Sequence, residues 1–340
     1  MSENNYSHYE IYTAGNLIWK IVPPILIIFG TIGNSLSIIV LTRKSIRTST
    51  TALFLTVLAL SDLLVLYTGL LRQWLIYLFK TDVRHVSVVG CKINMWLVYS
   101  SLDFSAWILI AVTIERVISV WFPHNAKTIC TKKSAMAVII AVCVLLLALN
   151  AHILYGMGFQ TVLKETGLPE LGKCLEVYDD YHSFFNKVWP WIELCVFCLI
   201  PFFVIVIGNS LILLKLIKTR RRTKTAIMPS IYTVARARVG VSGAYGKQSS
   251  MTAMLLTLNV VFLVSTSPVS IYNIGYPHWI SGASPHRVAK LDFWWAVVNM
   301  FMYTNNSVNF LLYCLSGSKF RREVFRIFLR RPSCVDAEGN

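Results

Sequence analysis

Seven long apolar blocks constrain this chain more than any other feature. They occupy residues 17–41, 52–79, 88–121, 134–157, 188–217, 251–276 and 291–315. Each reaches or exceeds the ~20 residues needed to cross a bilayer as a helix. Hydrocarbon offers no partner for backbone N–H and C=O groups, so a spanning segment must satisfy them internally. The expected fold is therefore an all-α membrane protein, a seven-transmembrane helix bundle. An odd number of crossings puts the two ends of the chain on opposite sides. Composition agrees: 55% of residues are hydrophobic and 14% charged, against roughly 25% charged in a soluble domain. That balance excludes a disordered chain and argues against a cytosolic enzyme.

The net charge of +16 suggests nucleic acid until it is placed along the chain. Of the 32 basic residues, 22 fall on the side of the first, third and fifth connections, and ten on the other. The acids divide as four and ten, with Asp62 and Asp103 inside the membrane. By the positive-inside rule the basic side is cytoplasmic and the N-terminus lies outside. The excess is then a topogenic signal and a contact for anionic membrane lipids, with no nucleic-acid partner. The expected location is the plasma membrane.

The organisation follows from this topology. Residues 1–16 form an extracellular N-terminus, 17–316 the membrane domain, and 317–340 an amphipathic helix with a cytoplasmic tail. The first twelve residues are polar and lack the basic start of a cleavable signal, so span one is expected to direct insertion. Asn5 begins a glycosylation sequon on the outer side. After span seven, residues 319–330 alternate Phe320 and Phe328 against arginines, as in a helix lying in the membrane interface. Cys334 just beyond is a palmitoylation candidate or an ordinary free thiol. Of eight cysteines, only Cys91 and Cys174 fall in outer, oxidising territory, so these two can pair.

Polar residues inside the apolar blocks need partners, since an ionisable group there costs at least ~2.5 kcal/mol. Asp62 sits mid-span two, Asn34 in span one, Ser105 in span three, and Asn305, Asn306 and Asn309 in span seven. Two readings stay open. A carboxylate with amide and hydroxyl oxygens suits a small hard cation such as sodium, and a hydrated polar network satisfies the same groups. Glu115-Arg116 closes span three at the inner side, where a costly arginine points to partner binding or switching. Pro201 and Pro268 interrupt spans five and six and kink them. In the outer half lie Arg72, Tyr99, Asp103, His152, Glu193, Tyr272, Asn299 and Tyr303, with tryptophans at the rim. Polar groups converging among aromatic rings are what a binding pocket requires.

These residues resemble the motifs of the rhodopsin-like (class A) G-protein-coupled receptors. Gly33-Asn34-Ser35-Leu36 is similar to the span-one motif and Leu58-Ala59-Leu60-Ser61-Asp62-Leu63 to that of span two. Glu115-Arg116-Val117 resembles the Asp-Arg-Tyr box with two changes. Asn309-Phe310-Leu311-Leu312-Tyr313 resembles Asn-Pro-x-x-Tyr except at Phe310. Cys91 and Cys174 fit the family disulfide, and Phe262, Pro268 and Pro201 fit spans six and five. The resemblance implies a sodium-linked network of Asp62, Ser105, Asn305 and Asn309, with no other cofactor. It implies that Glu115 holds Arg116 at rest, and that Arg116 and Tyr313 rearrange to meet a heterotrimeric G protein as span six moves. An outside ligand that favours the open state would drive that shift.

Departures qualify the resemblance. Span six reads Ser265-Thr266-Ser267-Pro268, without the usual tryptophan two before the proline. Asn209 stands at a usual tyrosine, and Gln248 where an acid often locks Arg116. Opsins need a span-seven lysine, which is absent between Lys290 and Lys319. Amine receptors place an aspartate where this chain has Val98. The span-seven ending and Trp121-Phe122-Pro123-His124 look like invertebrate neuropeptide receptors of the FMRFamide-receptor-like kind. The resemblance implies a peptide ligand, with a lipid or other small molecule as the alternative. Asp103 and Glu193 are expected to take an amine or arginine, and Arg72 a carboxylate or carbonyl. Tyr99, Tyr272, Asn299 and Tyr303 would complete the pocket. A transporter should show repeats, and seven spans do not halve. No nucleophile–base set or phosphate loop suggests an enzyme.

Overall fold

The computed structural model describes residues 9–163, 169–226 and 234–328. Asn5 and Cys334 lie outside the described residues, as does part of the third inner connection. The seven spans form a bundle: Glu10–Leu41, Thr50–Phe79, Val88–Trp121, Lys132–Gly156, a fifth through Ile200–Ala226, Val234–Ile280 and Pro285–Ser316. Among the described residues, six helical stretches are long and apolar enough to cross a membrane by length and composition. Span seven is as long, but four asparagines, Asn299, Asn305, Asn306 and Asn309, lower its hydropathy. Those amides are all buried, which marks the face turned to the other helices.

The helices run past the apolar blocks. Span one starts at Glu10, seven residues before its apolar block, with an acid in the first turn facing the helix dipole. Gly30 and Gly33 let span seven approach closely. A Cβ at Gly30 would meet the Ser307 backbone at 3.2 Å, and one at Gly33 the Phe310 side chain at 3.0 Å.

Span three runs through the middle of the bundle, and its side chains fasten its neighbours. Trp96 donates its indole N–H to the Leu147 carbonyl in span four (3.0 Å) and Trp121 to that of Leu211 in span five (3.1 Å). Spans two and five each contain a π-turn, at Leu66–Leu70 and Leu194–Leu199. A π-turn frees a carbonyl from the helix ladder. Both turns offer one to span three: Asn94 donates to the Thr68 carbonyl (3.2 Å) and Trp107 to that of Val196 (3.1 Å). In span six Pro268 lies within the helix. The hydroxyls of Ser265, Thr266 and Ser267 donate to the carbonyls four residues back, at 2.6–2.7 Å, a pattern that bends helices.

The long outer connection is not a plain loop. Strands β1 (Met157–Leu163) and β2 (Pro169–Glu176) pair antiparallel, with Phe159 opposite Cys174. The Cys91–Cys174 disulfide, with Cα atoms 5.6 Å apart, ties β2 to the outer end of span three. A helix, Asp179–Lys187, then leads to span five. At the inner face, Ser318–Phe328 forms the expected short amphipathic helix. Phe320 is buried against Phe310 and Tyr313 of span seven; the Phe328 side chain lies outside what the structure describes.

Candidate ligand pocket and switch residues

The outer polar residues fall into two groups. On the side of spans three, four and five, Asp103 is fully buried and accepts from the Asn150 amide at 2.9 Å. Glu193 of span five lies within electrostatic reach of Asp103, and Tyr99 within reach of both. One oxygen of Asp103, one of Glu193 and the Asn150 carbonyl oxygen are buried without a hydrogen-bond partner among the described residues. Three unpaired acceptors in one region have room for donors from elsewhere. Aromatic rings wall the group: Tyr99 meets Phe185 and Trp189 edge-on, and His152 packs on Trp189 at 4.1 Å. The Tyr181 hydroxyl meets His152 Nδ1 at 2.8 Å.

On the side of spans two, six and seven, Arg72 is buried and already engaged. It donates to Asp82 at 3.1 Å, and Arg84 donates to the same carboxylate oxygen at 2.6 Å. Burial works to raise the Asp82 carboxyl, but hydrogen bonds from Arg84 and the charges of Arg72 and Arg84 hold it below the ordinary range. Tyr303 is buried within the field of Arg72. Tyr272 donates its hydroxyl to the Leu291 carbonyl at 3.0 Å and stacks near Tyr276 and Trp295. Asn299 donates to the Trp295 carbonyl of its own helix at 2.8 Å.

Mid-membrane, Asp62 is fully buried and accepts three hydrogen bonds: from Ser105 at 2.9 Å, Asn306 at 2.8 Å and Asn309 at 2.6 Å. Asn306 therefore supplies the amide that the family pattern assigns to Asn305, which is buried but is not among the hydrogen-bond donors to Asp62 in the described residues. Residues 306 and 309 are three apart and share a helix face, and no proline breaks span seven between them. Asn34 donates to the Asn306 carbonyl at 2.9 Å, tying span one to the network.

At the inner end, Glu115 and Arg116 converge on span two. The Glu115 carboxylate accepts from the hydroxyls of Thr50 and of Thr51, the latter at 2.7 Å, and Arg116 donates to Thr51. Thr51 thus sits between the acid and the arginine. Phe262 is buried and meets Phe197 edge-on at 6.3 Å, under the π-turn of span five. Tyr313 is buried with its hydroxyl unpaired among the described residues. Asn150, Asn259 and the Thr50-Thr51 pair escaped attention in the sequence. For the asparagines the signal was the one that found Asp62, a lone polar group in an apolar run.

The family model of the seven-transmembrane receptors (rhodopsin family) matches residues 33–313. The FMRFamide receptor of Drosophila melanogaster is 26% identical over 349 residues, which cover 97% of this chain and 56% of that receptor. The chain thus spans little more than half the length of that relative. Neuromedin-U receptor 1 of Rattus norvegicus is 26% identical, over 89% of this chain and 71% of its own length. Cysteinyl leukotriene receptor 1 of Mus musculus is 23% identical, over 94% and 84%. These relatives are signalling receptors, not enzymes. With the family motifs in order and a seven-helix bundle to carry them, this chain belongs to the rhodopsin family of seven-transmembrane receptors.

Proposed function

We propose that the chain is a plasma-membrane receptor, N-terminus outside, that binds a neuropeptide and activates a heterotrimeric G protein. One observation carries the ligand reading: Asp103 and Glu193 present unpaired buried oxygens beneath an aromatic rim. Two acids within electrostatic reach of each other, each with a buried unpaired oxygen, favour a ligand that brings a cation, such as a peptide amine or an arginine side chain. Arg72, shared with Asp82, offers a second point for a ligand carboxylate or carbonyl. Tyr99, Tyr272, Asn299 and Tyr303 shape the space between. The names of the FMRFamide and neuromedin-U receptors support a peptide ligand.

The proposed response is a population shift. Ligand binding at the outer groups favours an arrangement in which Arg116 leaves Thr51 and turns to the G protein, while Phe262, Pro268 and Tyr313 readjust as span six moves. Asp62 with Ser105 and Asn309 suits a sodium ion that favours the resting arrangement. The oxygens of Asp62 and Ser105 are hard ligands, and rotation of an asparagine amide would turn its oxygen inward.

A lipid ligand is the second reading. Thr266 stands buried where the family has the far bulkier tryptophan, and the leukotriene receptor is among the relatives. A library of secreted peptides, screened on cells bearing the full chain with cAMP and calcium readouts, decides between them. The peptide reading expects an agonist with a basic group, whose affinity falls roughly 10- to 100-fold in Glu193→Gln or Asp103→Asn. Activation by a lipid alone, insensitive to both changes, overturns it.

A further inference from the structure

The Asp82 carboxylate is saturated. One oxygen accepts from the Arg84 backbone N–H at 3.0 Å. The other accepts from Arg72 Nη1 at 3.1 Å, Arg84 Nε at 2.9 Å and Arg84 Nη2 at 2.6 Å. A carboxylate has about four lone-pair sites, and all are taken. Two guanidinium groups share one carboxylate, so the three groups together keep a positive charge in excess and donors to spare. Arg72 Nε is buried with no partner among the described residues. Arg84 Nη1 donates to the Met95 thioether at 2.9 Å, and such a sulfur is a weak acceptor.

Of the two cations, Arg84 is the one open to an incoming group. Its side chain keeps 18% of its surface exposed, against 10% for Arg72. Asp82 caps the short turn Val83–His85, which packs against span three and strand β2. The guanidinium is therefore held in place before any ligand arrives, which lowers the cost of binding. Met95, Tyr99 and Asp103 follow one another at four-residue intervals and share a face of span three. Tyr99 lies within electrostatic reach of Glu193, Arg84 and Asp103. That face is positive beside Met95 and negative at Asp103, about 12 Å further along the helix.

We infer that Arg84 is a specificity-determining residue that reads a carboxylate on the ligand. The carboxylate takes the place of the Met95 sulfur at Arg84 Nη1 while the ligand's basic group meets Asp103 and Glu193. An extended chain advances about 3.3–3.6 Å per residue, so the acid stands about three to four residues from the base. A neutral carbonyl would accept the same hydrogen bond and leave the excess charge unpaired, at roughly half the strength. An acidic side chain and a C-terminal carboxylate bring the same chemistry. The inference rests on the peptide reading above and adds to it the sign and position of a second charge.

The test is affinity selection on the full chain in nanodiscs, with captured peptides counted by mass spectrometry. The probes are synthetic amidated hexapeptides carrying one arginine and one aspartate at every spacing. Matched sets replace the aspartate by asparagine, the arginine by glutamine, or the aspartate by asparagine with a free C-terminus. The wild type is expected to enrich an acid over its amide about tenfold or more, at a spacing of about three to four residues. Enrichment of the aspartate set supports a side-chain carboxylate, and of the free-terminus set a carboxylate at the chain end. Arg84→Gln should capture acid and amide alike while still requiring the arginine. Met95→Glu, which brings its own carboxylate to Arg84, should lose the preference in the same way with both arginines intact. A thermal melt shows which of these variants folds, and either one suffices. Glu193→Gln should do the reverse, losing the arginine requirement and keeping the preference for an acid. Equal capture of acid and amide by the wild type, or an undiminished preference in a folded variant, overturns the role of Arg84. Capture that ignores the arginine overturns the reading of Asp103 and Glu193 and leaves Arg84 standing. No capture from any set overturns both.

Discussion

Asn259 of span six donates its side-chain amide to the Asn209 oxygen of span five at 3.0 Å, and to the Thr113 hydroxyl of span three at 3.2 Å. One buried amide therefore clasps three helices. If span six moves on activation, this clasp must open. Asn259→Leu is expected to raise ligand-free signalling about five- to thirtyfold, from the loss of one to two hydrogen bonds worth ~1 kcal/mol each. Basal nucleotide exchange on a purified G protein measures it. A basal rate equal to wild type removes the clasp from the resting state.

Arg116→Ala is expected to abolish G-protein activation while leaving surface expression and agonist binding in place. The arginine is tied to Thr51 at the inner end of span three, away from the outer polar groups. Ligand binding and second-messenger assays on the same cells separate the two functions, and full signalling by the variant contradicts the assigned switch.

Asp62→Asn is expected to remove any dependence of agonist affinity on sodium. The substitution keeps the size of the side chain and takes away the charge that a cation needs. A sodium titration that shifts affinity equally in both proteins rules out the ion at this position.

At the outer face, the pH dependence of Asp82 has a definite sign. Its folded value lies below the ordinary 3.8 of an aspartate. The stability it contributes is therefore complete above about pH 4 to 5 and is lost as pH falls through its folded value. Asp82→Asn should lower the melting temperature at neutral pH, since it leaves Arg72 buried beside an uncharged partner. It should also flatten the acid limb of the melting profile below pH 4. An acid limb unchanged by the substitution would count against this carboxylate as its source.

Trp107→Phe removes the donor from the Val196 carbonyl in the π-turn of span five. A buried carbonyl left without a partner costs about 1–3 kcal/mol, so the melting temperature should fall by several degrees. Trp121→Phe, which frees a carbonyl in the regular part of the same span, should cost less. The reverse order would show that the π-turn needs no support.

The bundle and its polar interior were legible because both rest on a strong free-energy penalty. Long apolar runs have one solution in lipid, and Asp62 or Asp103 in such a run must face protein. Cys91 and Cys174 were legible through topology alone. The pairing of Arg72 with Asp82 was not, because the aspartate belongs to a connection whose fold no periodicity announces. Strands β1 and β2 are short and follow a spanning helix directly, so hydropathy alone ends at Met157. The choice of Asn306 over Asn305 turns on about 100° of helix rotation, finer than a pattern of neighbouring asparagines can specify. Thr50 and Thr51 look like ordinary helix-start residues, and their role depends on where span three ends in space.

The π-turns of spans two and five each slip one residue into the helix between the inner motif and the outer pocket. Everything outward of them is rotated about 100° from the position an unbroken helix would assign. Matching pocket positions by counting outward from Asp62 or Pro201 will therefore land one residue away in any relative whose helices lack these insertions. Residue-by-residue transfer of ligand contacts onto Arg72 or Glu193 has to be made by superposition, with the sequence offset restored.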